Sequence, residues 1–444
     1  LVVEAFKIPT GSMAPTLMGI HKEVLCSNCG WTFRVGRGRG GEAKCPNCLD
    51  EHKVGGREAD VVLKRPAWLW HEGRDSAGKE IAGADAANRA ERWGSRIFVN
   101  KFIYLMRRPK RWEVIVFAYP HPGENEKPRN YIKRLVGLPG ETIVLENGDV
   151  YVNGKIAPKP PAVQRRLWQH VLDTRFAPLH EVEKTWNLGD GGHLWWPGPK
   201  SGSLRLEGAE EAGPVMASFA RDITDSCAYN GGDKVRHQVG DVRVEARLTV
   251  LAARPGAKVV LRIEEDDHDF RLLAPLAGGK AILMDGEEQV AESDALVLPS
   301  GKEALLCLEN YDDRVVASFQ GRQMIVYEYG GNSRPEHAGK RVAFGASGAE
   351  VMFHRVKIER DIYYRVHAKR LDAKPITYVL DSESYFVLGD NSPTSRDSRE
   401  WGHEDRDNGT YVRTPEVPAA NILGQAVAIF WPVQDIGPLS WGTE

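Results

Sequence analysis

No stretch of this 444-residue chain holds the roughly 18 consecutive apolar side chains that a membrane-crossing helix needs. Nor does it show the basic lead, short apolar run and small-residue cleavage site of a secretory signal. It opens on Leu1-Val2-Val3 without a methionine, as expected of a trimmed product. Neither sign of charge dominates: 59 basic residues face 61 acidic ones, a net charge of −2, which argues against a general nucleic-acid binder. The one basic patch, from Arg34 to Lys44, is glycine-rich and lies between cysteines. Cysteine itself is sparse, six in all. Cys227 and Cys307 stand apart, either as buried free thiols or as one disulfide. With 42% hydrophobic and 27% charged residues, the chain has the make-up of a soluble globular protein of two or three domains.

The other four cysteines are patterned. Cys26-x2-Cys29 and Cys45-x2-Cys48 are separated by fifteen residues, the spacing of two knuckles that bring four thiolates to the corners of a tetrahedron. The expectation is a structural zinc ribbon over residues 20–93. Four cysteines close the coordination shell, so no catalytic metal is expected. Two disulfides are the alternative if the domain lies outside the cytoplasm. Residues 50–93 have no clear period, and His52 and His71 read as surface histidines.

Three segments carry reactive residues. Near the start, Thr10-Gly11-Ser12-Met13 lies between Pro9 and Pro15, which deny the chain a regular helix. A serine is thereby presented on a tight loop. In Asn130-Tyr131-Ile132-Lys133-Arg134-Leu135-Val136-Gly137, a lysine sits inside an apolar strand that ends at Pro139-Gly140. Burial disfavours the charged amine, lowering its pKa until it can accept a proton; a lysine snorkelling to water is the plainer alternative. Serine paired with such a lysine is a hydrolytic arrangement. Far downstream, the apolar run Tyr385–Leu388 enters a polar loop, Gly389-Asp390-Asn391 to Ser395-x-Asp397-Ser398-Arg399-x-Trp401-Gly402, read as an Asx-type turn with an internal Asp397–Arg399 ion pair.

Together, and in this order, these three motifs and the strand pair between Gly94 and Phe117 resemble type I signal peptidases, membrane-anchored Ser/Lys endopeptidases. The resemblance covers about 150 residues of the chain. It implies Ser12 as nucleophile and Lys133 as general base, with the Ser12 N–H and the Thr10 hydroxyl as oxyanion donors. Ser395 would hydrogen-bond the Lys133 amine. Gly389, Asp390, Asp397 and Arg399 would support the loop that carries it. Phe6, Ile8, Met13, Leu17, Tyr131 and Ile132 would line shallow apolar pockets for small residues at positions −1 and −3. Secretory preproteins are the implied substrates and a lipid surface the implied neighbour. The anchor would lie upstream of residue 1, with the catalytic domain extracytoplasmic.

The expected fold is mainly β: a peptidase core assembled from 1–19, 94–158 and 363–444, interrupted by the ribbon at 20–93 and by a second insertion at 159–362. The insertion reads as irregular from 159 to 240. Beyond that, alternating runs from Val242 to Ile358 indicate an antiparallel β-sandwich, similar to a concanavalin- or laminin-G-like jelly roll. Such sandwiches bind glycans or proteins, or are purely structural. Two other functions compete with signal-peptide removal. One is a binding or scaffolding protein on a degenerate core, which the intact Ser12, Lys133 and Ser395 oppose. The other is a self-cleaving Ser/Lys protein, which the bulky insertions oppose.

Overall fold

The alternating segments of the sequence form strands, and the strands sort into several sheets. The computed structural model describes residues 3–38, 42–54, 91–119, 129–177, 185–188, 193–195, 203–207, 214–231, 236–296, 298, 301–330, 341–367, 374–404 and 411–439, in which β-structure dominates. His71 and the tryptophans at 68 and 70 lie outside the described residues.

One eight-stranded sheet gathers segments that are far apart in the chain. Its spatial order is Val3–Lys7, Arg96–Asn100, Ile422–Trp431, Val114–Ala118, Asn130–Gly137, Ser384–Leu388 and Val417–Pro418, with Gly437–Pro438 added beside Ile422–Trp431. Continuous apolar runs occupy its middle, as strands covered on both faces require: Val114 to Phe117 are all buried, and so is every residue of Ser384–Leu388. Between Arg96–Asn100 and Val114–Ala118 the sequence suggested only a polar turn. A short helix, Ile103–Met106, precedes that turn, and the Asn100 side chain accepts from the N–H groups of Phe102 and Ile103 at its start. A second, four-stranded sheet joins Thr142–Glu146, Asp149–Val152 and Lys155–Ile156 to Thr377–Val379. Its hairpins turn at Asn147-Gly148 and Asn153-Gly154, where all four residues take positive φ, from 51° to 100°, as two-residue hairpin turns demand.

A thirteen-stranded antiparallel sheet holds the second insertion. Two long strands, Val242–Glu265 and Arg341–Arg360, pair with each other and exchange their other partners along the way. Residues 243–249 also pair with Glu303–Tyr311, while 258–265 pair with His268–Pro275. The alternating inward residues close around one large core that includes Leu261, Phe270, Phe344 and Phe353. The region expected to be irregular is partly ordered. Pro161–Leu167 is a helix, and Gln169–Asp173, Leu204–Glu207 and Val215–Phe219 are strands paired to Arg341–Arg360. These strands are too short for alternation to stand out, and their partner lies more than a hundred residues downstream. Glu288–Leu296, a strand not expected from the sequence, pairs with Gly279–Asp285; Glu288, Gln289, Glu292 and Asp294 of it are exposed, as befits an edge.

The cysteine segment forms two small hairpins. His21–Leu25 pairs with Thr32–Gly36, and Glu42–Lys44 pairs with Glu51–Lys53. Trp31 stacks on His170 of the second insertion with ring centroids 3.7 Å apart. Asn47 accepts from the Asp173 N–H and donates to the Phe176 carbonyl. The cysteine segment and residues 170–176 therefore pack against each other.

Candidate active site

Lys133 lies in the strand Asn130–Gly137, directly opposite Ile115, and shares its face with Tyr131 and Leu135 by the two-residue period of a strand. It is only 2% exposed. Ser12 sits on the loop after Val3–Lys7, and its Oγ is 2.8 Å from the Lys133 Nζ. The amine also donates to the Ile132 carbonyl at 3.0 Å, and the Tyr131 ring centroid is 5.5 Å away. Burial lowers the Lys133 pKa from its ordinary 10.5 to about 8; Asp397 and Asp390 oppose the shift, while Arg399 adds to it. Once neutral, the amine offers a lone pair to which the Ser12 hydroxyl donates, the geometry of a general base beside its nucleophile.

The serine loop is pinned on both flanks. Met13 and Leu17 are fully buried, and the Leu17 N–H donates to the Met13 carbonyl at 2.8 Å. The Ile8 N–H bonds to the Ser95 carbonyl, and the Met18 N–H to the Ser95 hydroxyl. Among the described residues, no acceptor engages the Ser12 N–H or the Thr10 hydroxyl, and Thr10 is exposed. Both donors remain available to a bound group.

The loop after Leu388 is held by buried charge. Asp397 accepts from Arg399 through Nε at 2.8 Å and Nη2 at 2.7 Å, and from the Gly389 N–H at 2.9 Å. Burial alone would raise the Asp397 pKa, but Arg399 and the Gly389 N–H outweigh it and keep the carboxyl below its usual range. Arg399 spends its remaining donors on the Arg365 carbonyl and on Ser392. Asp390 is gripped by Arg134 through two parallel bonds of 2.8 and 2.6 Å. Gly389 leaves no room for a side chain: a Cβ there would lie 2.1 Å from the Ser395 Oγ and 2.4 Å from the Ser12 carbonyl.

Two expectations need correction. The acceptors of the Lys133 amine are Ser12 and Ile132, and Ser395 is not among its partners; that hydroxyl lies in the Asp397 half of the loop, beside Gly389. Ile8, Met13 and Leu17 do not wall a pocket either. They are closed into the core beneath the sheet, because the loop needs apolar anchors to hold its serine outward. Phe6, Tyr131 and Ile132 stay half-buried and can meet a ligand. Arg134 and Asn391 lie inside two of the three motifs but had no expected role. A second charge in an apolar strand needs a counter-ion, and that alone pointed to Arg134.

At the cysteine cluster, all four Sγ atoms lie within 4.8 Å of one another. The Cys26–Cys48 and Cys29–Cys45 sulfur pairs are 3.4 and 3.6 Å apart. A tetrahedron with Zn–S bonds of about 2.3 Å has edges of roughly 3.8 Å, whereas disulfide sulfurs lie about 2.05 Å apart. The two knuckles repeat one pattern, with Gly30 N–H on the Cys26 carbonyl and Leu49 N–H on the Cys45 carbonyl. The donor set thus fits zinc. His52, expected at the surface, is buried with its Nε2 3.3 Å from the Cys26 Sγ.

Residues 85–196 and 340–431 match the family described as signal peptidase, peptidase S26. The chain is 37% identical over 139 residues to a probable signal peptidase I-2 of Synechocystis, covering 26% of this chain and 62% of that protein. It is 47% identical over 60 residues to signal peptidase I P of Bacillus subtilis subsp. natto, covering 14% of this chain and 30% of that one. The chain thus spans less than two thirds of the length of these relatives. Among solved structures it is similar to a carbohydrate binding module, CBM66, from Bacillus subtilis, with 14% identity and a TM-score of 0.29 over 40% of this chain and 96% of that one.

Proposed function

We propose that this chain, a relative of the type I signal peptidases, is a serine endopeptidase that removes N-terminal signal peptides from exported preproteins. One observation carries the reading: a buried lysine amine, lowered to about 8, stands 2.8 Å from a serine hydroxyl on a loop that neighbours hold in place. Lys133 takes the Ser12 proton as Ser12 Oγ attacks the scissile carbonyl. The C–N bond then breaks, Lys133 returns its proton to the leaving amine, and an acyl-enzyme remains. Water, activated by the same amine, releases it. The Ser12 N–H and the Thr10 hydroxyl hold the developing oxyanion. Asp397, Arg399, Gly389 and Asp390 support the site without touching substrate, and Ser395 fills the space under Gly389.

A substrate strand has an edge to join. Residues 130–134 pair with Val114–Ala118 on one side, but on the other side Ser384–Leu388 reaches only 134–137. An extended peptide added beside Tyr131 and Ile132 would reach Ser12 with its small residues against Phe6 and these two side chains. Cys26, Cys29, Cys45 and Cys48 would bind a structural zinc that fixes the ribbon and supplies no chemistry. Among the described residues, no helix is long and apolar enough to cross a membrane. An extracytoplasmic site beside a lipid surface belongs to the same proposal.

The test is cleavage of a fluorogenic peptide with alanine at −1 and −3, comparing the wild type with Ser12→Ala. Cleavage that disappears with the Ser12 hydroxyl, in a variant with unchanged circular dichroism, is the expected result. A Ser12→Ala protein that cleaves as fast as the wild type would overturn the assignment.

A further inference from the structure

The serine loop has a back, and the second insertion covers it. A short turn, Ala228–Asn230, leaves that insertion and settles against Gly11. The Tyr229 ring lies so close that a Cβ on Gly11 would be 1.9 Å from its Cε1, and a Cβ on Gly36 of the cysteine segment 2.5 Å from it. The Tyr229 hydroxyl donates to the Ile20 carbonyl at 3.1 Å. Asn230, 6% exposed, exchanges two hydrogen bonds with Asn391, each Nδ2 donating to the other Oδ1 at 2.8 Å. Asn391 in turn donates from Nδ2 to the Gly11 carbonyl at 2.8 Å and from its backbone N–H to the Ser12 carbonyl at 3.0 Å. Nearby, Asp225 of the same insertion accepts from Arg365 at 2.5 Å, and the Arg365 carbonyl accepts from Arg399.

These contacts have a chemical consequence. The Gly11 carbonyl and the Ser12 N–H belong to one planar peptide group and point in opposite directions. The Gly11 carbonyl also accepts from the Ala14 N–H at 3.1 Å, so the turn and Asn391 together aim the Ser12 N–H. An asparagine amide fits its site in two orientations, and only one places NH2 against the Gly11 carbonyl; the other sets two oxygens face to face. The Gly11 carbonyl thus fixes the Asn391 amide, and Asn230 holds it there, accepting from the Asn391 NH2 and donating to its Oδ1.

We propose that Asn230 and Tyr229 are positioning residues for the reaction at Ser12, so that the inserted domain is part of the catalytic apparatus. Asn230 holds Asn391 against the Gly11 carbonyl, and Asn391 helps direct the Ser12 N–H toward the oxyanion. Tyr229 keeps the loop from retreating. The inference rests on the Ser12–Lys133 reading above.

The test compares steady-state peptide cleavage by the wild type, Asn230→Leu, Asn391→Leu and the double variant, with Ser12→Ala as the prior control. A misdirected oxyanion donor should lower kcat for Asn230→Leu by roughly 10- to 100-fold while KM stays within about twofold. The acid limb of the pH profile should not move, because the surroundings of Lys133 are intact. The double variant should be no slower than Asn391→Leu, since both act through one contact. Asn230→Asp, equal in size and able to accept from Asn391, covers the case in which leucine prevents folding; it should recover part of the loss. Wild-type kcat in Asn230→Leu or in Asn230→Asp, or independent multiplying losses in the double variant, overturns the proposal. Wild-type cleavage that survives Ser12→Ala overturns the reading of the site, and this inference with it.

Discussion

Replacing Lys133 with methionine removes a reactive group and also a source of instability. Burial holds the folded-state pKa at about 8, against 10.5 for the exposed amine. The unfolded chain therefore binds the proton more tightly, and stability rises with pH across that window. At pH 7 the folded state bears almost the full difference, about 3 kcal/mol; at pH 10 about 1 kcal/mol remains. The stability gap between Lys133→Met and wild type should thus change by about 2 kcal/mol from pH 7 to pH 10, in favour of the wild type as pH rises. Urea unfolding of both proteins at the two pH values measures it, and titrations common to both cancel in the difference. In the proposed mechanism the same amine sets the rate. At pH 7 it is neutral in roughly one molecule in ten, against about one in three thousand for an ordinary lysine. Wild-type kcat/KM should rise about tenfold per pH unit below 8 and flatten above it, while Lys133→Met should be inactive throughout. A stability gap independent of pH, or an acid limb that continues upward to pH 10, would refute a desolvated base.

Two further predictions concern the supports. Cys45→Ser, or treatment of the wild type with a strong chelator, should release about one zinc per chain and unfold the ribbon; metal analysis together with thermal unfolding checks it, and metal-free protein with an unchanged transition would count against zinc. Asp390→Leu should destabilise the fold by roughly 3–5 kcal/mol, because Arg134 would be left buried and unpaired. Denaturant titration reads this directly, and a loss under about 1 kcal/mol would mean that water replaces the carboxylate.

Much of the core was legible because its signals are local. The run around Lys133 alternates within one strand, and the spacing of Cys26, Cys29, Cys45 and Cys48 fixes a donor set without reference to the rest of the chain. The serine loop announced itself through Pro9, Gly11 and Pro15. What stayed hidden depends on partners remote in sequence. Met13 and Leu17 read as pocket walls because only packing shows on which side of the loop they lie. His52 read as a surface residue because its partner, Cys26, approaches across two hairpins. Gln169–Asp173 and Val215–Phe219 are strands only because Arg341–Arg360 lies beside them. Asn230 could not be connected to Asn391, 161 residues away, by any periodicity.

The electrostatics of the site explain why Lys133 can be neutral with two carboxylates near it. Unpaired, Asp390 and Asp397 would draw a proton onto the amine and raise its pKa; both do act in that direction. Each, however, is bound by an arginine in two parallel contacts, Asp390 by Arg134 and Asp397 by Arg399. A carboxylate so paired projects the field of a dipole rather than of a charge, and a dipole field falls off faster with distance. Arg399 moreover pushes the Lys133 pKa downward, offsetting the anion it holds. Desolvation is then left as the dominant influence. The buried pairs are costly to place in a low-dielectric interior, and their use here is to order the polar loop around a base without recharging it. This accounts for charged residues in the midst of a core strand and a core loop, where apolar side chains would pack more easily but would leave the Gly389–Trp401 loop without a frame.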